Sequence, residues 1–260
     1  MKLAEASIVS NIELLPGHFL LCVEEPYIAT TARPGQFLTI RCGDELILRR
    51  PFSIHRTADR HLVFIFFKVV GKGTHWLSTQ KRGDTLDVLG PLGNGFSLPA
   101  SANELLLLAG GTGIAPVVFL AQEALNREKR VTLVVGAQTA EYLYPKEHLP
   151  QGMECIFVTD DGSYGERGTI TQFLTRHDEL VSRADEVYAC GPLAMYQEIE
   201  KQRQTWYYKK TVQVSLEIRM GCGIGACYGC SIMTKRGMRQ VCKDGPVFEI
   251  DDIIWEEVRL

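Results

Sequence analysis

Apolar and polar positions change rhythm along the chain. Up to about residue 98 the apolar residues come in short or alternating runs: "FLLCV" (19–23), "QFLTI" (36–40), "LILRRPFSI" (46–54) and "HLVFIFFKVV" (61–70). Turn pairs such as Pro34-Gly35, Gly43-Asp44 and Gly83-Asp84 separate them. Closely spaced short strands of this kind predict an antiparallel β-barrel. From about 103 the pattern alternates between buried strands and helices. "ELLLLAG" (104–110), "RVTLVVGA" (130–137), "MECIFVTD" (153–160) and "DEVYACG" (185–191) read as strands, with helices over 113–128 and 192–204. That alternation predicts a parallel sheet with helical crossovers. The remainder holds one strand-like run, "TVQVSLEI" (211–218), among short polar turns. The expected architecture is multidomain: an N-terminal antiparallel β-barrel over 1–98, an α/β parallel-sheet domain over 99–208 and a small C-terminal unit over 209–260.

Composition adds limits. The chain has 260 residues, 45% hydrophobic and 23% charged, and its length allows a core that needs no disulfides. The net charge is −3, from 28 basic and 31 acidic residues, with no basic block, so nucleic acid is a poor candidate partner and none is expected. Glu5 interrupts any apolar leader, and the longest uncharged run, 105–121, is broken by glycines and Pro116 and is too short to span a bilayer. A cytoplasmic protein without a membrane partner is expected. In that compartment thiols stay reduced, and clustered cysteines read as metal ligands.

Such a cluster stands in "RMGCGIGACYGC" (219–230). Cys222, Cys227 and Cys230 follow a four-residue and then a two-residue gap, and Cys242 comes eleven residues later. This is the plant-type [2Fe–2S] spacing. Two irons need four converging thiolates, and Gly221, Gly223, Gly225 and Gly229 let backbone N–H groups approach the charged sulfurs. Zinc is the rival ligand, but structural zinc sites draw on paired short spacings. Cys22, Cys42 and Cys155 are isolated in strand-like contexts and read as small core residues.

An iron–sulfur centre moves single electrons and needs a donor. In "RRPFSI" (49–54), Arg50 offers a planar fork for a phosphate, Phe52 an aromatic face for a ring and Ser53 a hydroxyl for a ring heteroatom. "VVGKGTHWLS" (69–78) runs through two glycines into a helix beginning near Thr74, and a helix N-terminus after glycines is an anion site. "LLLLAGGTGIAPV" (105–117) ends a strand in glycines and opens a helix, which lets a dinucleotide approach the strand's carboxyl end. Cys190, Gly191 and Pro192 end another strand of the same sheet. The glycine-rich loop 159–170 reads either as a cover for the nucleotide or as a surface turn. Residues 136–144 contain no Arg or Lys for a 2′-phosphate and do contain Glu141, which points to NAD.

Together these motifs resemble the ferredoxin–NADP⁺ reductase superfamily. The resemblance implies FAD on Arg50, Pro51, Phe52 and Ser53, on Phe67, Lys68 and Val69, and on Gly71, Gly73 and Thr74. It implies NAD on Gly110, Gly111, Thr112 and Gly113 and on Cys190, Gly191 and Pro192, with Cys190 against the nicotinamide. The metal ligands are Cys222, Cys227, Cys230 and Cys242. The compact tail, "SLEIRMGCGIGACYGC" leading to "VCKDGPVF", resembles that of electron-transfer subunits of NAD-dependent (type B) dihydroorotate dehydrogenases. That family implies a relay between an FMN-containing catalytic subunit, the [2Fe–2S] cluster, FAD and NAD⁺ in pyrimidine synthesis, in a heterotetramer with two of each subunit. No acid–base residue is expected here, because proton removal from dihydroorotate belongs to the partner. The alternatives are a reductase subunit of a transhydrogenase, sulfide or hydrogenase complex, and a non-catalytic redox sensor.

Overall fold

The computed structural model describes residues 1–203 and 210–258. Residue 204, the last of the helix expected over 192–204, and the 208/209 boundary lie outside the described residues.

The first unit is one curled antiparallel sheet. Its elements are β1 (Lys2–Leu15), β2 (His18–Glu24), α1 (Pro26–Thr31), β3 (Phe37–Ile40), β4 (Arg50–Ser53), β5 (Arg56–Ala58), β6 (Leu62–Lys68), α2 (Lys72–Thr79) and β7 (Thr85–Leu92). The strand order is β4-β3-β7-β1-β2-β6-β5. The two end strands, β4 and β5, are consecutive in the chain and separated only by Ile54 and His55, so the sheet has to curl until its ends meet. Leu38, Ile40, Phe52, Ile54, Val63 and Ile65 fill the interior.

Two strands lack a compact apolar run. β1 has Ala6 and Ile8 as its fully buried positions, and its register with β2 shifts between Ile8 and Ser10 and again between Glu13 and Leu15. A single period-2 pattern therefore does not run its length. The strand expected over 46–54 forms only at Arg50–Ser53, and Ile47 is 97% exposed.

The second unit is built on β8 (Glu104–Gly110), α3 (Ile114–Asn126), β9 (Arg130–Ala137), β10 (Glu154–Thr159), β11 (Glu166–Arg167), α4 (Ile170–Arg176), α5 (Asp178–Arg183), β12 (Glu186–Cys190) and α6 (Leu193–Arg203). Leu105 to Ala109 are all buried, which is why β8 reads as an unbroken apolar run. From β8 the chain winds outward through β9, β10 and β11, then returns to place β12 on the other side of β8. The order reverses there, so the carboxyl ends of β8 and β12 border the crevice where open α/β sheets bind ligands.

The tail supplies β13 (Val212–Ser215), β14 (Ser231–Thr234), β15 (Gly237–Gln240), α7 (Val241–Asp244) and β16 (Val247–Glu249). β13 pairs in parallel with β12, and β16 pairs antiparallel with β13, so the tail extends the nucleotide sheet by two strands. The run read as a strand over 211–218 stops at Ser215, after which the chain turns toward the cysteine loop.

Candidate functional site

β4 pairs with β3 in the register Phe37↔Ser53, Leu38↔Phe52, Thr39↔Pro51 and Ile40↔Arg50. Paired residues share a face of the sheet. Leu38 and Ile40 point into the barrel, so Pro51 and Ser53 face outward with Phe37 and Thr39. Phe52, expected to offer a free aromatic face, alternates inward; it is 8% exposed and stands edge-on to Phe67 at 5.7 Å between centroids. Arg50 lies half-buried over the start of α2. A Cβ on Gly73 would come 3.1 Å from Arg50 Cγ and 3.2 Å from Nε, so glycine lets the arginine stem cross the helix N-terminus. The helix starts at Lys72, two residues before the expected position, with Gly71 as N-cap. Thr74 Oγ1 accepts from the N–H groups of Val70 (2.8 Å) and Gly71 (3.1 Å), fixing the turn. Lys68 and Val69 lead into it from β6. A guanidinium beside a helix N-terminus suits a pyrophosphate.

At the sheet's crevice, Gly110 to Gly113 and Cys190 to Pro192 meet. A Cβ on Gly110 would lie 2.9 Å from Pro192 Cδ, and one on Gly113 would collide with the Cys190 carbonyl. Gly111 has φ +55° and open space beside it, and Pro192 is exposed, so the approach to Thr112 and the glycine turn is free. The Cys190 thiol is turned away from this crevice. It is buried, donates to Ser215 O at 3.5 Å on β13, and is pushed up to about 12 by burial. Tyr196 ties the same corner: its hydroxyl accepts from Gly191 N (2.9 Å) and donates to Ser215 O (2.6 Å).

A residue without a motif joins the two sites. His55, two positions beyond Ser53, is completely buried. Its Nδ1 lies 3.1 Å from Ala115 O on α3, and its Nε2 lies 2.9 Å from the Tyr144 hydroxyl. A carbonyl only accepts, so Nδ1 carries the proton and Nε2 accepts from Tyr144. Burial holds the imidazole neutral, down to about 3. The sequence cue was a lone histidine after "RRPFSI", which by itself reads as an ordinary core residue.

The cysteine loop is an array of N–H donors aimed at sulfur. Cys222 Sγ accepts from Ile224 N (3.5 Å), Ala226 N (3.2 Å) and Cys227 N (3.4 Å). Cys227 Sγ accepts from Gly229 N (3.4 Å), Cys242 Sγ from Gly225 N (3.1 Å) and Cys230 Sγ from Cys242 N (3.4 Å). Gly223 and Gly225 have φ of +73° and +83°, which the loop's tight reversal requires. Burial raises the Cys222 thiol, but the N–H groups of Ile224, Cys227 and Ala226 outweigh it and bring it down to about 6. Cys242 goes the other way, to about 12, through burial and the adjoining Cys230. No group of three or more His, Cys, Asp or Glu among the described residues could hold a metal ion as placed. The fit to a cluster rests instead on the spacing and on donors that would stabilise charged sulfur. Cys22 and Cys42 are buried, and Cys155 is half-buried on β10.

The loop also touches the barrel. A Cβ on Gly223 would stand 3.0 Å from Thr39 Cγ2 and 3.7 Å from Leu92 Cδ1. Asn94, just after β7, donates from Nδ2 to the carbonyls of Lys243 and Asp244, both at 3.1 Å.

A curled antiparallel sheet, a doubly wound nucleotide sheet and a terminal thiol loop, in that order, define an iron–sulfur member of the ferredoxin–NADP⁺ reductase superfamily. Comparison with known proteins narrows the class. A family model for the iron–sulfur cluster binding domain of dihydroorotate dehydrogenase B matches residues 217–254, and one for the oxidoreductase NAD-binding domain matches 107–201. A relative from Desulforamulus reducens, named dihydroorotate dehydrogenase B (NAD(+)), electron transfer subunit, is 38% identical over 98% of this chain and 99% of its own. One of the same name from Streptococcus pneumoniae strain R6 is 36% identical with the same coverage. Among solved structures, that of an NADH-dependent reduced ferredoxin-NADP oxidoreductase superposes with a TM-score of 0.85 at 31% identity, over 97% of this chain and 91% of that one. A ferredoxin NADP⁺ reductase from Neisseria gonorrhoeae with bound FAD and NADP shares the fold at a TM-score of 0.67 and 19% identity, over 80% and 93%. The chain belongs to the family of electron transfer subunits of dihydroorotate dehydrogenase B (NAD(+)).

Proposed function

We propose that this chain carries electrons between the catalytic subunit of dihydroorotate dehydrogenase B and NAD⁺, serving pyrimidine (UMP) biosynthesis. The observation that carries the reading is a pair of junctions: Gly223 of the cysteine loop stands against Thr39 on the strand beside β4, and His55, two residues after β4, bonds to Ala115 on the helix that follows the glycine turn. FAD and [2Fe–2S], when bound, supply the chemistry: a flavin exchanges hydride with nicotinamide and single electrons with a cluster. Arg50 and the N-terminus of α2, with Gly71, Gly73 and Thr74, would balance the charge of the FAD pyrophosphate. Pro51 and Ser53 would line its ring, with Lys68 and Val69 bordering it; Phe67, expected from the sequence as a further contact, is buried edge-on to Phe52 inside the barrel, and the two would brace β4 and β6 from within. Gly110, Gly111, Thr112, Gly113, Gly191 and Pro192 would admit NAD, and Cys190 would act behind that surface through β13. The absence of Arg or Lys in 136–144, beside the end of β9, supports NAD over NADP. Cys222, Cys227, Cys230 and Cys242 would hold the irons, with the N–H groups of the loop tuning the sulfurs.

Three functional units follow, over 1–98, 99–208 and 209–260. We further infer an FMN-bearing partner, a heterotetramer with two of each subunit, and a cytoplasmic setting. Among the described residues no helix is long and apolar enough to cross a membrane. The likeness to the NADH-dependent ferredoxin oxidoreductase favours a transhydrogenase-type subunit as second reading; retention of four cysteines favours the first. Mixing the chain with the catalytic subunit, dihydroorotate and NAD⁺ decides between them. NADH should form, and Cys242→Ser should abolish this while sparing NADH-to-dye transfer. A wild-type mixture that makes no NADH refutes the proposal.

A further inference from the structure

Thr39 sits where β3, the strand beside β4, meets the cysteine loop. It lies on the outward face of β3, paired with Pro51 on β4 and with Leu89 on β7. Gly223, the residue after Cys222, covers it: a Cβ there would be 3.0 Å from Thr39 Cγ2. Thr39 is 2% exposed, and its hydroxyl has no hydrogen-bond partner. Its neighbours on this face, Phe37, Leu89 and Leu92, are apolar and belong to the core that also holds Cys230 and Cys242. Burying an unpaired hydroxyl is unfavourable, and valine would fill the same volume without that cost. A threonine here has a physical reason only if a group absent from the polypeptide accepts its proton.

We infer that Thr39 is a cofactor contact, donating its hydroxyl hydrogen to an electron-rich acceptor of the redox groups held on either side of it. The inference rests on the flavin and cluster sites proposed above. Two sources present that chemistry: a sulfur of the iron–sulfur cluster and a heteroatom of the flavin. Either bond stabilises the reduced, more negative form, because a donor interacts more strongly as charge builds on its acceptor. Thr39 thereby sets the driving force for the electron step between the two groups.

The test is redox titration of the complete two-subunit complex, following the cluster by electron paramagnetic resonance and the FAD by absorbance. Thr39→Val keeps the shape and removes the donor; Thr39→Ser keeps the donor. The expected result is a tenfold weakening of one group's reduction in the valine variant, 59 mV for a one-electron couple, with the serine variant staying near wild type. A shift confined to the cluster names sulfur as the acceptor, and a shift confined to FAD names the flavin. Unchanged potentials in the valine variant overturn the inference, as do equal shifts in both variants, which would implicate disturbed packing around the position and not the hydroxyl. A wild-type complex lacking either the flavin spectrum or the paramagnetic signal would instead remove the sites on which the inference rests.

Discussion

His55 offers the sharpest quantitative check on the contact between the end of β4 and α3. Its ring is fully buried, donates to the Ala115 carbonyl and accepts from Tyr144. The folded chain holds it neutral down to about pH 3, through burial, opposed by the Ala115 bond and reinforced by the charges of Arg56 and His148. In the unfolded chain the same group titrates near 6.5. Between those values the unfolded state binds the extra proton, so stability rises with pH and falls on acidification below about 6.5. Going from pH 7.5 to 5.5 should remove about 1.4 kcal/mol through this one residue. His55→Gln keeps a donor for Ala115 and an acceptor for Tyr144 but does not titrate. Urea unfolding of both proteins at the two pH values isolates the effect, since every other titrating group is shared. The variant should lose about 1.4 kcal/mol less than wild type. Equal losses would mean that His55 is solvated or charged in the folded state, and the rigid contact built on it would fall.

Two further outcomes follow from the glycine turn and the arginine. Gly113→Ala forces a Cβ into the Cys190 carbonyl, so the crevice has to open or the turn to unfold. NADH affinity should drop by at least an order of magnitude, about 1.4 kcal/mol, measured by equilibrium titration, whereas Gly111→Ala, with open space but φ +55°, should cost less. Arg50→Ala removes the guanidinium from the start of α2 and should weaken FAD retention about tenfold to a hundredfold; flavin-to-protein ratios after gel filtration measure it, and unchanged occupancy would dismiss the phosphate role.

Long apolar runs made the parallel sheet legible almost to the residue. β8 and β9 coincide with the expected runs because every central position is buried and nothing else competes for them. The cysteine loop was legible because metal spacing is written locally and the φ-positive turns at Gly223 and Gly225 need glycine. β1 was less legible because two register shifts break its alternation. The orientation of Phe52 and Cys190 was hidden for a different reason. Motif membership says that a residue stands at a site, whereas strand alternation and a neighbouring strand decide which way it points. His55 and Thr39 are legible only in three dimensions, since each owes its meaning to a residue distant in the chain, Ala115 for one and Gly223 for the other.

The manner in which the tail joins the molecule bears on the relay itself. Domains joined by small polar interfaces move relative to one another by default. Here a single hydrophobic cluster contains Phe37 and Leu92 from the barrel, Leu106, Val187 and Ala189 from the nucleotide sheet, and Cys230, Ile232 and Cys242 from the tail. β13 adds a strand to the sheet and ends at Ser215, whose carbonyl receives both Cys190 and Tyr196. Seven positions later comes Cys222. The strand that receives Cys190 and Tyr196 therefore runs on into the cysteine loop, and Gly223 closes against the barrel strand beside β4. Separating any two of the three sites would expose apolar surface common to all three units. The three units are thus braced on one apolar core, and the relay proposed above would need no hinge to bring them together.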